Sequence, residues 1–94
     1  MIQSFADKST ERLFNNIPVR KIVNIEKAAR RRLKALNAAH SIEDLRNPPG
    51  NRLEALKGDR VGQYSIRIND QYRVCFIWEK DVGPSNVEIV DYHR

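Results

Sequence analysis

The sequence predicts an α+β domain, and three observations predict it. Apolar residues recur at helical spacing through the first half of the chain, and alternate with a period of two through most of the second. Between the halves stands Asn47-Pro48-Pro49-Gly50, the clearest breaker in the chain. Neither half is long enough to fold alone, so residues 1–94 are expected to form a single domain, its helices packed on one face of an antiparallel sheet.

The opening Ile2-Gln3-Ser4-Phe5 alternates apolar and polar and is expected to form a short N-terminal strand. Asp7 can cap the helix that follows, with Leu13 and Phe14 on its apolar side and Pro18 ending it. A longer helix is expected over residues 20–39, because Ile22, Ile25, Ala29, Leu33 and Leu36 fall on one stripe. Lys27, Arg30, Arg31 and Lys34 project from the other side of that helix. Ser41 followed by Asp44 can cap one further turn. Four strand-like runs come after the breaker, at 52–56, 64–68, 72–78 and 86–91. Gly58-Asp59, Asn69-Asp70 and Asp81-Val82-Gly83-Pro84 separate them, and the short loops make the last three an antiparallel meander.

The second and third runs allow their register to be deduced. Tyr64, Ile66 and Ile68 form one apolar phase, and Tyr72, Val74, Phe76 and Trp78 the other. A two-residue loop would pair Ile68 with Gln71 and put the phases out of step. A three-residue loop, Asn69-Asp70-Gln71, pairs Ile68 with Tyr72 and Ile66 with Val74. It also sets Arg67 opposite Arg73, and Ser65 opposite Cys75, on the other face. Like charges facing each other across strands cost roughly 0.2 to 1 kcal/mol. Two long side chains can splay into water to relieve that cost. An anion between them reverses its sign, and the guanidinium fork matches phosphate oxygens well.

Composition narrows the partners. A formal net charge of +5 and a pI of about 9.7 favour an anionic partner, nucleic acid or acidic protein. Much of the excess sits in residues 20–34, which hold seven Lys or Arg and only Glu26 as an acid. A run of one sign serves as a solvated face, a nucleic-acid contact or a contact for an acidic partner. The lone Cys75 excludes an internal disulfide and, within a strand pattern, is most commonly a small buried hydrophobe. The opening residues lack a basic start followed by a long apolar run, and no stretch has membrane-spanning length, so the cytoplasm is the expected compartment.

The chain ends Val90-Asp91-Tyr92-His93-Arg94, polar types that handle protons, bases and phosphates at the end of a strand pattern. On spacing alone this is more often a plain polar terminus. With Arg67, Arg73 and Lys57 it also holds what metal-free RNA cleavage needs. The 2′-hydroxyl attacks the neighbouring phosphorus if a base takes its proton, an acid protonates the departing 5′-oxygen, and cations meet the phosphoryl charge. His93 can serve as base or acid, and Asp91 can take a proton or orient the imidazole. Tyr92 can stack on a base or donate its hydroxyl. Two histidines and one cysteine are too few for an ordinary zinc site, and there is no Gly-rich phosphate loop, so no metal or cofactor is expected.

From Leu53 onward the chain resembles the HigB-type killer toxins, including their GraT-like relatives, within the RelE/ParE superfamily. The resemblance rests on Leu56-Lys57-Gly58-Asp59-Arg60, on the run from Tyr64 through Ile68-Asn69-Asp70-Gln71-Tyr72-Arg73 to Phe76, and on Val87-Glu88-Ile89-Val90-Asp91-Tyr92-His93. The opening residues and the length agree as well, while the basic helix is matched only loosely. The resemblance implies a compact RelE-like fold and an endoribonuclease that cuts mRNA in the ribosomal A site. It implies inhibition by a HigA-like helix-turn-helix antitoxin, through which DNA is reached only indirectly. The family's active-site pattern falls here on Lys57, Arg73, Asp91, Tyr92 and His93, and Arg67 takes a position that is basic in relatives. Glu54, with Lys27, Arg30, Arg31 and Lys34, completes the set expected to face RNA. Glu54 stands where the nucleases of the family carry a histidine; a carboxylate there either replaces that base or repels the phosphate. The rival readings are a ParE-like gyrase inhibitor without catalysis, and a weak nuclease that acts by binding ribosomes or their precursors.

Overall fold

The computed structural model describes residues 1–92. Helix α1 (Lys8–Phe14) begins where Asp7 accepts a hydrogen bond from the Thr10 amide at 3.3 Å. It stops at Asn15, well before Pro18, because the next residue, Asn16, turns left-handed at φ 66°. The single helix expected over 20–39 is instead a 3-10 segment, Arg20–Ile25, followed by helix α2 (Glu26–Ala38). Ile22 sits at φ −128°, ψ 24° and breaks the run. Val19 offers no capping side chain there, and the crowded β-branched Ile22-Val23 pair disfavours a regular first turn. The apolar stripe survives the break: Ile22, Ile25, Ala29, Leu33 and Leu36 are all buried. Asp44 closes the turn Ile42–Arg46 by accepting from the His40 and Ser41 amides at 2.8 and 3.2 Å.

The sheet has four strands in the order β1-β2-β3-β4, with every neighbour antiparallel. Strand β1 (Glu54–Ala55) is only two residues long, shorter than the expected 52–56. Left-handed residues bracket it, Arg52 at φ 46° and Gly58 at φ 63°, and turn the chain out of line on both sides. Strands β2 (Tyr64–Arg67), β3 (Tyr72–Glu79) and β4 (Gly83–Asp91) form the meander. Among them β4 starts three residues earlier than expected and absorbs a register shift opposite Cys75 and Ile77.

Arg67 pairs with Arg73, Ile66 with Val74 and Ser65 with Cys75, the register deduced from the apolar phases. The three-residue loop is closed by the Asn69 side chain, whose Oδ1 accepts from the Gln71 and Tyr72 amides at 2.9 and 2.8 Å. The segment expected as an N-terminal strand makes one isolated bridge, Phe5 to Val87, parallel to β4. It docks through Gln3 N–H to the Pro84 carbonyl and Ala6 N–H to the Val87 carbonyl, at 2.8 and 2.9 Å. A continuous ladder is prevented by Asn86, which turns left-handed at φ 50° and gives its amide to the Ser4 hydroxyl.

Both helices cover one face of the sheet. Leu33 and Leu36 from α2 and Leu13 from α1 meet Ile66, Val74, Phe76 and Val87 in one fully buried cluster. The opposite face is covered by neither helix, and Arg67, Arg73 and Glu88 lie on it. Among the described residues no helix is long and apolar enough to cross a membrane.

Thr10 ties the helical layer to the sheet: its buried hydroxyl accepts from the Ile89 amide at 3.0 Å. Thr10→Val keeps the shape and strands that amide, so unfolding free energy should drop by about 1 to 3 kcal/mol. Urea denaturation should show a lower midpoint with an unchanged slope.

Candidate functional site

Strand alternation determines which side chains meet on the helix-free face. Ser65 and Arg67 of β2, Arg73 and Cys75 of β3, and Glu88 and Val90 of β4 pair across it, with Glu54 of β1 opposite Ser65. Ser65 and Cys75 are fully buried there although they point away from the core. What covers them is the longer chains around them. Arg73 donates from Nη1 to the Ser65 hydroxyl at 2.7 Å, and the Tyr92 hydroxyl lies 3.7 Å from the Cys75 sulfur.

Arg73 is the centre of this face. Its guanidinium forms an ion pair with Glu54, donates to the Arg52 carbonyl at 3.4 Å, and lies 5.9 Å from the centre of the Tyr92 ring. Only 14% of its side chain is exposed. The two facing arginines therefore do not splay into water. Nor do they wait for an anion, because each has a carboxylate of its own: Arg73 has Glu54 and Arg67 has Asp70. The hydrogen bond from Arg67 holds the Asp70 carboxyl below its usual value. Burial, followed by the Cys75 contact, pushes the Tyr92 phenol above its ordinary value, so at neutral pH it is an uncharged hydroxyl able to donate. Burial likewise raises the Cys75 thiol and leaves it neutral.

The residues singled out in the sequence fall into several places. Arg73, Arg67, Glu54 and Tyr92 come together on the open face. Lys57 is exposed, on the turn that follows β1, where its carbonyl accepts from the Arg60 amide at 3.2 Å. Asp91 goes to the other side of the sheet. It pairs with Tyr72, accepts from the Gln71 side chain at 3.2 Å, and lines a cavity of about 310 Å³ beside Asp7, Lys21 and Ile89. Asp91 and Tyr92 thus diverge although they are adjacent in sequence. His93 lies outside the described residues. Lys27, Arg30, Arg31 and Lys34 line a basic depression on α2, whose apolar stripe packs on the sheet, and so stand apart from Arg73. Arg30 is partly engaged, with Glu26 at 2.5 Å and the Leu13 carbonyl at 3.0 Å. Among the described residues no group of three or more His, Cys, Asp or Glu is placed to hold a metal ion.

Three participants escaped sequence reasoning. Arg60 bridges to Glu88 at 3.1 Å across the open face. Ser65 receives Arg73. Arg32 links α2 to the hairpin by donating to the Arg67 carbonyl at 2.8 Å, while burial, with Arg31 and Arg67 close by, lowers its guanidinium. Ser65 alone carried a usable signal, a small polar residue deduced to sit beside Arg73 on the face away from the core.

Two helices packed on one face of a four-stranded antiparallel sheet are consistent with a RelE-like fold. Comparison with known proteins narrows this. Residues 3–93 match the family model for the RelE-like toxin of the type II toxin–antitoxin system HigB. Toxin HigB-1 of Vibrio cholerae serotype O1 is 42% identical over 85 residues, 88% of this chain and 90% of that protein. An uncharacterized protein of Haemophilus influenzae is 41% identical over 58 residues, 62% of this chain and 57% of that one. The chain belongs to the HigB-like toxin family, and as a toxin of a type II system it has an antitoxin as partner.

The Glu54–Arg73 pair generates a direct expectation. Glu54→Gln keeps the size of the side chain and removes the carboxylate charge paired with Arg73, which would compete with a phosphate there. Affinity for single-stranded RNA at low salt should rise, and the dependence of log K on log salt should steepen by about one ion. Fluorescence polarisation with a labelled oligonucleotide measures both, and weaker binding by the variant would show that Glu54 does not compete.

Proposed function

We propose that this toxin is a ribosome-dependent mRNA endoribonuclease that cleaves by attack of the RNA's own 2′-hydroxyl, with no metal in the reaction. The observation that carries the reading is Arg73 held over Ser65 and beside the Tyr92 ring, on the helix-free face of the sheet. Arg73, with Arg67 opposite, meets the charge that builds on the phosphoryl oxygens, and Lys57 adds a third cation at the edge of the sheet. Tyr92 stacks on a base or donates its hydroxyl. His93 supplies the imidazole of the set, and it transfers the proton taken from the 2′-oxygen or delivered to the leaving 5′-oxygen. Asp91, on the other side of the strand, serves by orienting the terminus rather than by touching the phosphate. The basic depression of α2 takes ribosomal RNA, away from the scissile bond. A HigA-like helix-turn-helix antitoxin in the cytoplasm is the proposed inhibitor.

One observation favours a slower version of the same enzyme. Glu54 occupies Arg73, so phosphate must displace a carboxylate before Arg73 can act. In this reading the toxin binds ribosomes well and cuts poorly.

The test is mRNA cleavage on translating ribosomes with EDTA present, mapped by 5′ ends. Arg73→Ala should lose on the order of 100-fold or more in rate, and with it growth inhibition, while its melting temperature stays within a few degrees of wild type. His93→Ala should stop cleavage and keep ribosome and antitoxin binding. Glu54→His should cut faster than wild type, since it both releases Arg73 and supplies a second imidazole. Full toxicity of a well-expressed Arg73→Ala variant would end the phosphate-site assignment. A requirement for metal would end the mechanism. Toxicity unaffected by His93→Ala and accompanied by DNA-damage signalling would identify a gyrase inhibitor instead.

A further inference from the structure

The turn between β1 and β2 carries Lys57, and little in the sheet ladder holds it. Gly58–Arg60 is a single 3-10 turn, Gly62 is left-handed at φ 93°, and Val61 is 77% exposed. Arg60 ties the turn to a distant strand. The Arg60 amide donates to the Lys57 carbonyl, and Arg60 Nη1 is forked between Gln63 Oε1 at 3.0 Å and Glu88 Oε1 at 3.1 Å. Glu88 is a β4 residue on the open face, opposite Cys75, the residue that the Tyr92 hydroxyl touches. The pair therefore joins the segment bearing Lys57 to the strand leading to Tyr92, across 28 positions of sequence.

Both side chains are one-third exposed, so the pair adds little to global stability. Its effect is on geometry. Burial works against the Arg60 charge more than any single contact favours it, but the Glu88 hydrogen bond and charge, with Cys75 and Tyr92 close by, together hold the guanidinium above its ordinary value. Gln63 is locked by the same fork, and its carbonyl accepts from the Leu56 amide at 2.8 Å. The Gln63 end of the turn is thereby fastened to the guanidinium, and the Lys57 end to the amide of the same residue.

We infer that Arg60 is a positioning residue: with Glu88 it forms a brace that sets Lys57 relative to Tyr92, so that the turn and the last strand meet RNA as one unit. Its catalytic consequence rests on the nuclease reading, while the brace itself is a property of the free protein. Amide exchange at Arg60 and Val61 and ribosome-dependent cleavage are measured for wild type, Arg60→Gln, Glu88→Gln and the charge-reversed double variant Arg60→Glu with Glu88→Arg. Each single variant should speed exchange of those two amides roughly twofold to fivefold, the range for a part-exposed ion pair. Each should also lower kcat with KM little changed, and the charge-reversed variant should recover both. Wild-type exchange in both single variants overturns the brace, as does a folded double variant no better than the singles. Glu88→Gln keeps the test valid if Arg60→Gln fails to fold. A wild-type chain that does not cleave would defeat the nuclease reading, and the exchange data, taken without RNA, would still decide the brace.

Discussion

The carboxamide of Asn69 sets the relation between the two central strands of this molecule. By accepting two amides it commits the β2–β3 connection to three residues, and that count sets the register of the two central strands. Register then decides parity. With this loop Ile66, Val74 and Phe76 go inward to meet Leu33 and Leu36, and Ser65, Arg67, Arg73 and Cys75 go outward. A slip of one residue would exchange the two sets, burying a guanidinium against leucine and exposing phenylalanine. Core and candidate site are therefore two readings of the same alternation.

Charge on the open face is arranged differently from charge on the molecule as a whole. Arg60, Arg67 and Arg73 each have a carboxylate partner, Glu88, Asp70 and Glu54 respectively. The exposed cations Lys27, Arg31 and Lys34 sit on α2 instead. Long-range attraction for a polyanion thus arises on the helical side, where it raises local concentration and steers encounter. In the proposed nuclease, binding at the sheet would be an exchange of carboxylate for phosphate around the Arg73 guanidinium. Such an exchange discriminates by shape and hydrogen-bond geometry more than by net charge.

Much of this arrangement was legible in the sequence because it follows from periodicity. The apolar stripe of α2, the hairpin register and the Asp7 and Ser41-Asp44 caps all follow from local spacing, and each is present. What escaped depends on left-handed or long-range features that carry no period. Arg52 and Asn86 adopt positive φ, which shortens β1 and reduces the opening strand to a bridge. With β1 so short, no pattern announced that Glu54 would reach Arg73, or that Arg60 would reach Glu88. Asp91 is a different case. Val87, Ile89 and Asp91 share one phase of β4, so alternation already assigned Asp91 to the helical side, while the family resemblance grouped it with its neighbour Tyr92.

Ser65 and Cys75 stand side by side at the middle of the open face, ringed by Glu54, Arg67, Arg73 and Glu88. The two smallest side chains of the central strands thus make a trough in the sheet, its floor low and its walls long. In the free protein the walls have fallen inward, with Arg73 resting on Ser65 and Tyr92 on Cys75, so the trough is filled by its own rim. A groove at this place needs only those side chains to rotate, with the paired backbone of the sheet left as it is. Its depth is then fixed by two missing volumes, and a methyl or two added at either floor position would make it shallower without altering a single charge.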